Sequence, residues 1–320
     1  MFREKYLDIL RSPENGTKLK WSDNKLVDEK NIAFPVINDI PRFVNEENYA
    51  DSFGYQWNYF DQTQLDRFSK TSVSETRFYK NTRWTDEMMK DKKVLEVGSG
   101  AGRFTEVLLK TGADVYSVDY SNAVEANKKN NGDKEFLLAQ ADIYKLPFVK
   151  AGFEFVFCFG VIQHTPDPKL SFMKLAEQVK ANGYIAIDIY KKTWKSLFNT
   201  KYWVRPFTKR MSKERLLRIV KWYVPKWFPV STLLLKVPFA GKFLSQLVPI
   251  LNYTEMYPEL SKEKLVTWAI LDTFDMLSPA YDYPQTLNTL SEWGKAAGFE
   301  IIYCGPGDNG YVLVGRRKDE

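Results

Sequence analysis

A chain of 320 residues can bury a full core, and 44% hydrophobic with 27% charged residues and no low-complexity tract exclude extensive disorder. Two cysteines, Cys158 and Cys304, exclude a disulfide framework or a cysteine zinc site; both lie in apolar strand-like runs and are expected as small buried hydrophobes. The formal charge of +6 is a local excess, because residues 191–244 hold 14 Lys and Arg against Glu214 alone, which leaves the rest of the chain at −7.

The first residues hold no apolar run of signal-peptide length and no stretch of 18 uninterrupted apolar residues occurs, so a cytoplasmic location is expected. Residues 1–48 read as a small β module: LDIL, a turn at SPENG, KLKW, then IAFPVINDIPRFV, where Pro35 and Pro41 bound short strands. A polar, aromatic link containing FGYQWNYF (53–60) follows. From Lys92 onward strand and helix signals alternate, with apolar β-runs at 94–97, 115–118, 136–138, 153–159 and 184–189 and helical patterns at 103–110 and 170–180. Such alternation predicts a parallel sheet covered by helices on both faces. The pattern breaks over 191–261 into a basic, Trp- and Pro-punctuated insertion. It resumes over 262–320 with a helix at 286–297 and a closing hairpin at 299–304 and 311–314. The expected units are therefore 1–48, 49–190, 191–261 and 262–320.

The strand at 94–97 runs into Gly98, Ser99, Gly100, Ala101 and Gly102 and then a helix. Glycines there permit a tight turn and let a ligand approach the backbone at a helix N-terminus. A dinucleotide fingerprint would need a small residue at 103, where Arg103 stands, so a pyrophosphate ligand is disfavoured. Asp119 ends the second strand about 20 residues on, where a carboxylate can accept both ribose hydroxyls, and Asp142 ends the third. Each could instead cap a helix.

Glu96 two residues before the first glycine, QADIYKLPF at 140–148 and FEFVFCFGVIQHTPDP at 153–168 together resemble the bacterial class I S-adenosylmethionine-dependent methyltransferases of the type 11, ubiquinone-biosynthesis-like kind. The resemblance is strong over about 92–190. It implies a Rossmann-like α/β fold, a seven-stranded mostly parallel sheet here carrying a helical cap insertion and the small N-terminal β module. It also implies S-adenosylmethionine as donor, S-adenosylhomocysteine as product and no metal. Implied donor contacts are Tyr55, Glu96, Gly98, Ser99, Gly100, Gly102, Arg103, Asp119, Tyr120, Ala141, Asp142, Ile143, Phe159 and Gly160. Among these, Arg103 would pair with the donor's carboxylate and Asp142 with its neighbours would bind the adenine amino group. The N-terminal unit is similar to the zinc-ribbon-like module found before such enzymes. Ser12, Pro13, Glu14 and Asn15 replace its Cys-Pro-x-Cys knuckle, so the shape is expected without the metal. ANG at 181–183 stands for the family's Pro-Gly-Gly and should alter only a turn.

Methyl transfer requires donor and acceptor held in line, and a hydroxyl acceptor gains from a base. His164, the one histidine, follows the fourth strand at the open end of the sheet; general base, ligand contact and structural residue all stay open for it. The chain has no Asn/Asp-Pro-Pro-Tyr/Phe run after that strand, and Cys158 lies within it, which disfavours adenine N6 and pyrimidine C5 chemistry. In DTFDMLSPAYDYPQ (272–285), Ser278, Tyr281 and Tyr283 are candidate acceptor-pocket residues. The insertion alternates charge with Trp, Leu and Val at helical spacing. It reads as a cap with solvated cations, as a surface for membrane or anionic lipid through 191–245, or as a nucleic-acid surface, which lacks a supporting RNA-binding signature. The reading favoured is O-methylation of a small-molecule or glycan-like acceptor. A lipid-linked or RNA substrate and a non-catalytic donor-binding scaffold are the rivals.

Overall fold

The computed structural model describes residues 4–45, 48–192, 200–245, 247–258 and 260–319. Four antiparallel strands open the chain: β1 (Leu19–Ser22), β2 (Lys25–Asp28), β3 (Ala33–Ile37) and β4 (Ile40–Pro41). Asp23-Asn24 and Asn38-Asp39 take positive φ at both positions, the two-residue loops whose twist suits a hairpin. At the turn lacking cysteines, Ser12 Oγ and Asn15 Nδ2 donate to Asp28 Oδ2 (2.8 and 2.7 Å), while the Lys30 and Ile32 amides donate to Oδ1 (2.9 and 2.8 Å). Burial acts to raise the Asp28 carboxyl, and these bonds together hold it below the usual range. The module does not stand apart, since Tyr6, Ile9 and Leu10 join the core of the main sheet and Arg42 bridges to Gln140 at its edge.

Helices α1 (Asp51–Tyr59), α2 (Asp66–Ser69), α3 (Val73–Thr82) and α4 (Asp86–Met89) lead into β5 (Lys93–Val97), α5 (Arg103–Leu108), β6 (Asp114–Asp119), α6 (Val124–Asn131) and β7 (Leu137–Gln140). Then come β8 (Phe153–Cys158), α7 (Pro168–Ala176) and β9 (Val179–Ile189). The remainder is α8 (Thr200–Thr208), α9 (Lys213–Leu235), α10 (Gly241–Ser245), α11 (Lys262–Leu277), α12 (Leu287–Ala296), β10 (Phe299–Gly307) and β11 (Gly310–Arg317). The large sheet has seven strands in the order β10-β11-β9-β8-β5-β6-β7; β5 to β9 pair parallel, and β11 runs antiparallel between β9 and β10. This is the Rossmann-like class I architecture that the sequence implied.

Alternation builds both faces. Leu95, Tyr116, Val156 and Cys158 enter one core with Phe172, Leu290 and Trp293. Val94, Val115, Phe155 and Phe157 enter the other with Phe78, Trp84 and Phe104. Cys304 on β10 is only half-buried, unlike the fully buried Cys158. The helix expected to 180 stops at Ala176, and 181–183 lies inside β9, where the ladder with β8 slips between Phe153 and Phe155 and Asn182 has φ +61°. That departure makes a bulge within a strand, not a turn between elements.

The cap has a core of its own. Leu216, Val220, Val224 and Phe228, one helical stripe of α9, pack with Leu265, Trp268, Ala269 and Phe274 of α11. Ser212 and Ser261 begin these helices by accepting from the Arg215 and Lys264 amides (both 3.3 Å). Helix α11, assigned by sequence to the C-terminal sheet unit, therefore packs with the insertion, because its apolar residues complement α9.

One buried ion pair ties α3 to the sheet. Arg77 Nη2 donates to Asp188 Oδ2 at 2.7 Å, and Asp188 Oδ1 accepts from the Gly160 amide. Asp188 is wholly buried, so Asp188→Ala would strand a guanidinium without its carboxylate. A loss of about 3 kcal/mol or more in urea unfolding is expected, and a change below about 1 kcal/mol would contradict it.

Candidate active site

The strand order reverses between β5 and β8, and the crevice outside the carboxyl ends of such strands is where ligands bind in open α/β sheets. A cavity of about 750 Å³ lies there. Its floor is the β5–α5 loop, the ends of β6, β7 and β8, and His164; its roof is α1, α8, α11 and the segment around 251–257.

The loop geometry demands glycine. Gly98 has φ +83°, and a Cβ there would stand 2.2 Å from Val161 Cγ2; at Gly102, with φ +88°, it would stand 2.3 Å from Asn127 Oδ1. Gly98→Ala should thus distort the loop and lower both melting temperature and donor affinity, and an unchanged protein would show that the loop can yield. Asp119 locks the turn: Oδ2 accepts from the Gly100 amide (2.8 Å), and Oδ1 from the Ser121 amide and hydroxyl (2.8 and 2.7 Å). Burial raises its carboxyl above the usual range against those bonds.

Glu96 lies behind the loop. Its Oε2 accepts from Thr105 and Ser117 hydroxyls (2.5 and 2.7 Å), and burial pushes its pKa up to about 7. With the native value above the unfolded one, the folded state holds the extra proton, so Glu96 contributes most stability below about pH 4 and loses it as pH rises through about 7. Glu96→Gln should remove this slope, worth on the order of 3 kcal/mol between pH 4 and 8, from unfolding free energies measured across that range. An equal slope in both proteins would rule this out.

Across the cavity, Arg103 Nη1 donates to Gln64 Oε1 (2.6 Å) and its Nε to Ser74 Oγ (3.2 Å). Gln64 Nε2 continues to Asp272 Oδ1 (3.1 Å), so the first residue of α5 is linked to the cap. Burial, with the Arg77 guanidinium beside it, lowers Arg103 to about 10. Burial also raises Asp272 to about 6 and Asp275 to about 7, and Asp282 pairs with Lys201 at 2.8 Å.

His164 is buried between Phe53 and Tyr190, with ring centroids at 5.1 and 5.3 Å. Burial lowers its pKa to about 4, so the ring is neutral near pH 7. Its Nδ1 lies 3.0 Å from the Tyr281 carbonyl, which can only accept, so Nδ1 carries the proton and Nε2 presents a lone pair. Nε2 has no hydrogen-bond partner among the described residues.

Residues 95–187 match the family model for a methyltransferase domain. A mitochondrial ubiquinone biosynthesis O-methyltransferase of Schizosaccharomyces pombe is 32% identical over 110 residues, 32% of this chain and 39% of that one. The corresponding enzyme of Coxiella burnetii is 30% identical over 115 residues, 35% of this chain and 49% of that one. The match thus spans less than half the length of either relative. The likeness to methyltransferases is thus carried by residues 95–187. Among solved structures, the magnesium protoporphyrin IX methyltransferase of Synechocystis with bound S-adenosylhomocysteine superposes with a TM-score of 0.46 at 14% identity, covering 84% of this chain and 97% of that one. A SAM-dependent methyltransferase of Aquifex aeolicus gives 0.42 at 12%, covering 85% and 98%.

The cavity is lined by Gly98, Ser99, Gly100, Arg103, Asp119, Tyr120, Ala141, Ile143, Phe159, Gly160 and His164 of the predicted set. Glu96, Gly102 and Asp142 do not line it: Glu96 and Gly102 support the loop from behind, and Asp142 Oδ1 accepts from the Tyr144 amide (2.9 Å). Tyr55 also points elsewhere, onto Tyr59 and Phe274. Helix α1 does cover the loop, but its cavity face is the i, i+4 pair Phe53 and Trp57, with Trp57 Nε1 3.2 Å from where a Gly100 Cβ would stand. The acceptor candidates need the same correction. Tyr281 and Tyr283 pack ring against tilted ring outside the cavity lining while Asp282 between them lines it, as alternation along an extended segment requires, and Ser278 lines a separate small cleft. Arg77, Tyr253, Tyr257, Asp272 and Asp275 line the cavity unforeseen. The available signal was LDTFDML, two carboxylates three apart in an apolar helix. Among the described residues no group of three or more His, Cys, Asp or Glu is placed to hold a metal ion.

Proposed function

We propose that the protein transfers a methyl group from S-adenosylmethionine to a hydroxyl oxygen of a small, polar, glycan-like acceptor, with His164 Nε2 taking the hydroxyl proton. The observation that carries this reading is a cavity whose floor holds both the glycine loop locked by Asp119 and His164, a neutral imidazole whose buried Nε2 has no hydrogen-bond partner among the described residues. The name O-methyltransferase carried by the relatives supports oxygen as the acceptor atom.

The residues fit the donor. Loop backbone at Gly98–Gly100 is open to close approach, Asp119 stands at the ribose position, and Arg103, bonded only to neutral groups, has charge to offer the donor carboxylate. S-adenosylmethionine supplies an electrophilic methyl on a sulfonium that leaves as a neutral thioether. Trp57 covers the loop at Gly100, and Phe53 packs on the His164 ring. His164 is held in one tautomer by the Tyr281 carbonyl, which leaves Nε2 as the lone-pair nitrogen, and the Asp272 and Asp275 carboxyls lining the cavity are candidate partners for acceptor hydroxyls. Holding the partners in line is worth up to about 7–11 kcal/mol of the barrier.

S-adenosylhomocysteine at about 100 times its Kd should stabilise the protein by about 2.7 kcal/mol. No thermal shift at saturating ligand would sink the reading. A second reading, catalysis at a membrane or anionic surface, is supported by the 14 cations of 191–244.

A further inference from the structure

Helix α9 carries two apolar stripes. The first, through Leu216, Val220, Val224 and Phe228, is buried in the cap core. At about 100° per residue, Ile219, Trp222, Lys226, Val230 and Leu233 make a second stripe about 80° wide on the far side of the helix. All five are exposed, Trp222 by 60% and Leu233 by 68%. Trp203 and Phe207 on α8 and Phe243 on α10 are exposed as well. Of the 19 exposed large hydrophobic residues described, 11 fall within 203–247, so the exposed apolar side chains are concentrated in the cap. In the turn between α9 and α10, Phe239 is fully exposed at φ +61°, a conformation a bulky side chain adopts at a cost.

Cations frame the patch. Arg215, Arg218 and Lys236 are exposed on or beside it, and Lys226 Nζ sits 4.1 Å over the Trp222 ring. Glu214 is the one acidic residue of 191–244. No helix among the described residues is long and apolar enough to cross a membrane, which fits a helix lying along a surface.

We propose that the outward stripe of α9, with the Phe239 turn, docks the cap on an anionic lipid bilayer, apolar side chains in the interface and cations on lipid phosphates. Charge selects this partner. A second copy would oppose one cationic patch with another, and a nucleic acid offers no apolar medium for Val230 and Leu233. Helix α8 carries Trp203 and Phe207 outward and lends Lys201 and Tyr202 to the cavity, so docking sets the cavity beside the bilayer. Delivery of an acceptor from the membrane follows, and that consequence rests on the methyltransferase reading.

Co-sedimentation of the full chain with vesicles of phosphatidylcholine, with and without phosphatidylglycerol, tests the docking. Binding to phosphatidylglycerol vesicles is expected, with tryptophan fluorescence shifting to the blue. The double variant Trp222→Ser, Leu233→Ser should partition at least about tenfold more weakly, while its melting temperature and its stabilisation by S-adenosylhomocysteine stay as in the parent. Absent binding at low salt, equal partition of the double variant, or a dimer that this variant dissociates would each overturn it. Lost vesicle binding with intact S-adenosylhomocysteine stabilisation strikes docking alone; the reverse pattern strikes the methyltransferase reading alone.

Discussion

Replacing Asp119 by alanine is expected to weaken S-adenosylhomocysteine binding by on the order of 100-fold, measured by calorimetric titration. Two effects add. A carboxylate that accepts ribose hydroxyls makes charge-assisted bonds worth about 1.5–3 kcal/mol each. The same carboxylate also accepts from the Gly100 amide and from Ser121, so its loss frees the loop that the donor rests on. Asp119→Asn keeps part of the geometry and loses the charge, and should fall between. Unchanged affinity in both variants would reject Asp119 as the ribose partner.

His164→Ala should lower turnover about 10²- to 10⁴-fold while donor affinity stays within about twofold of the parent. Wild-type turnover would reject the base role. The pH profile separates it from a rival. With its pKa lowered to about 4 by burial, His164 is neutral from about pH 5 upward and puts no limb into the rate between pH 6 and 8. Asp275, raised to about 7, would place a rising limb near neutrality if it were the base. A limb that survives in His164→Ala and vanishes in Asp275→Asn would transfer the role to that carboxyl.

The donor side of this cavity was legible because it is built locally. A strand, a glycine turn and a helix within 94–108 hold Gly98, Gly100 and Arg103 in one unit, and parallel strands with period-two burial bring Asp119 to the same edge. The acceptor side was legible only as a region. Spacing in 272–285 indicated a pocket wall, but the polar aromatics that drew attention, Tyr281 and Tyr283, face away, and the carboxylates between and before them face in. Tyr55 failed similarly: the helix was readable, while which of its faces met the glycine loop depended on how α1 packs between loop and cap.

From its sequence alone this protein determined the order of its strands and helices, the glycine loop with Asp119, and the concentration of cations in one insertion, because each follows from near-neighbour sterics, periodicity or composition. Tertiary structure decided the rest. It packed α11 with the cap, brought Arg77 beside Arg103 and linked Asp272 to it through Gln64, and buried the ring of His164 so that Nε2 has no partner among the described residues. It also gave α9 a covered stripe and a bare one. These are pairings between segments far apart in the chain, set by which apolar faces bury each other, and side-chain direction at the cavity follows from that packing.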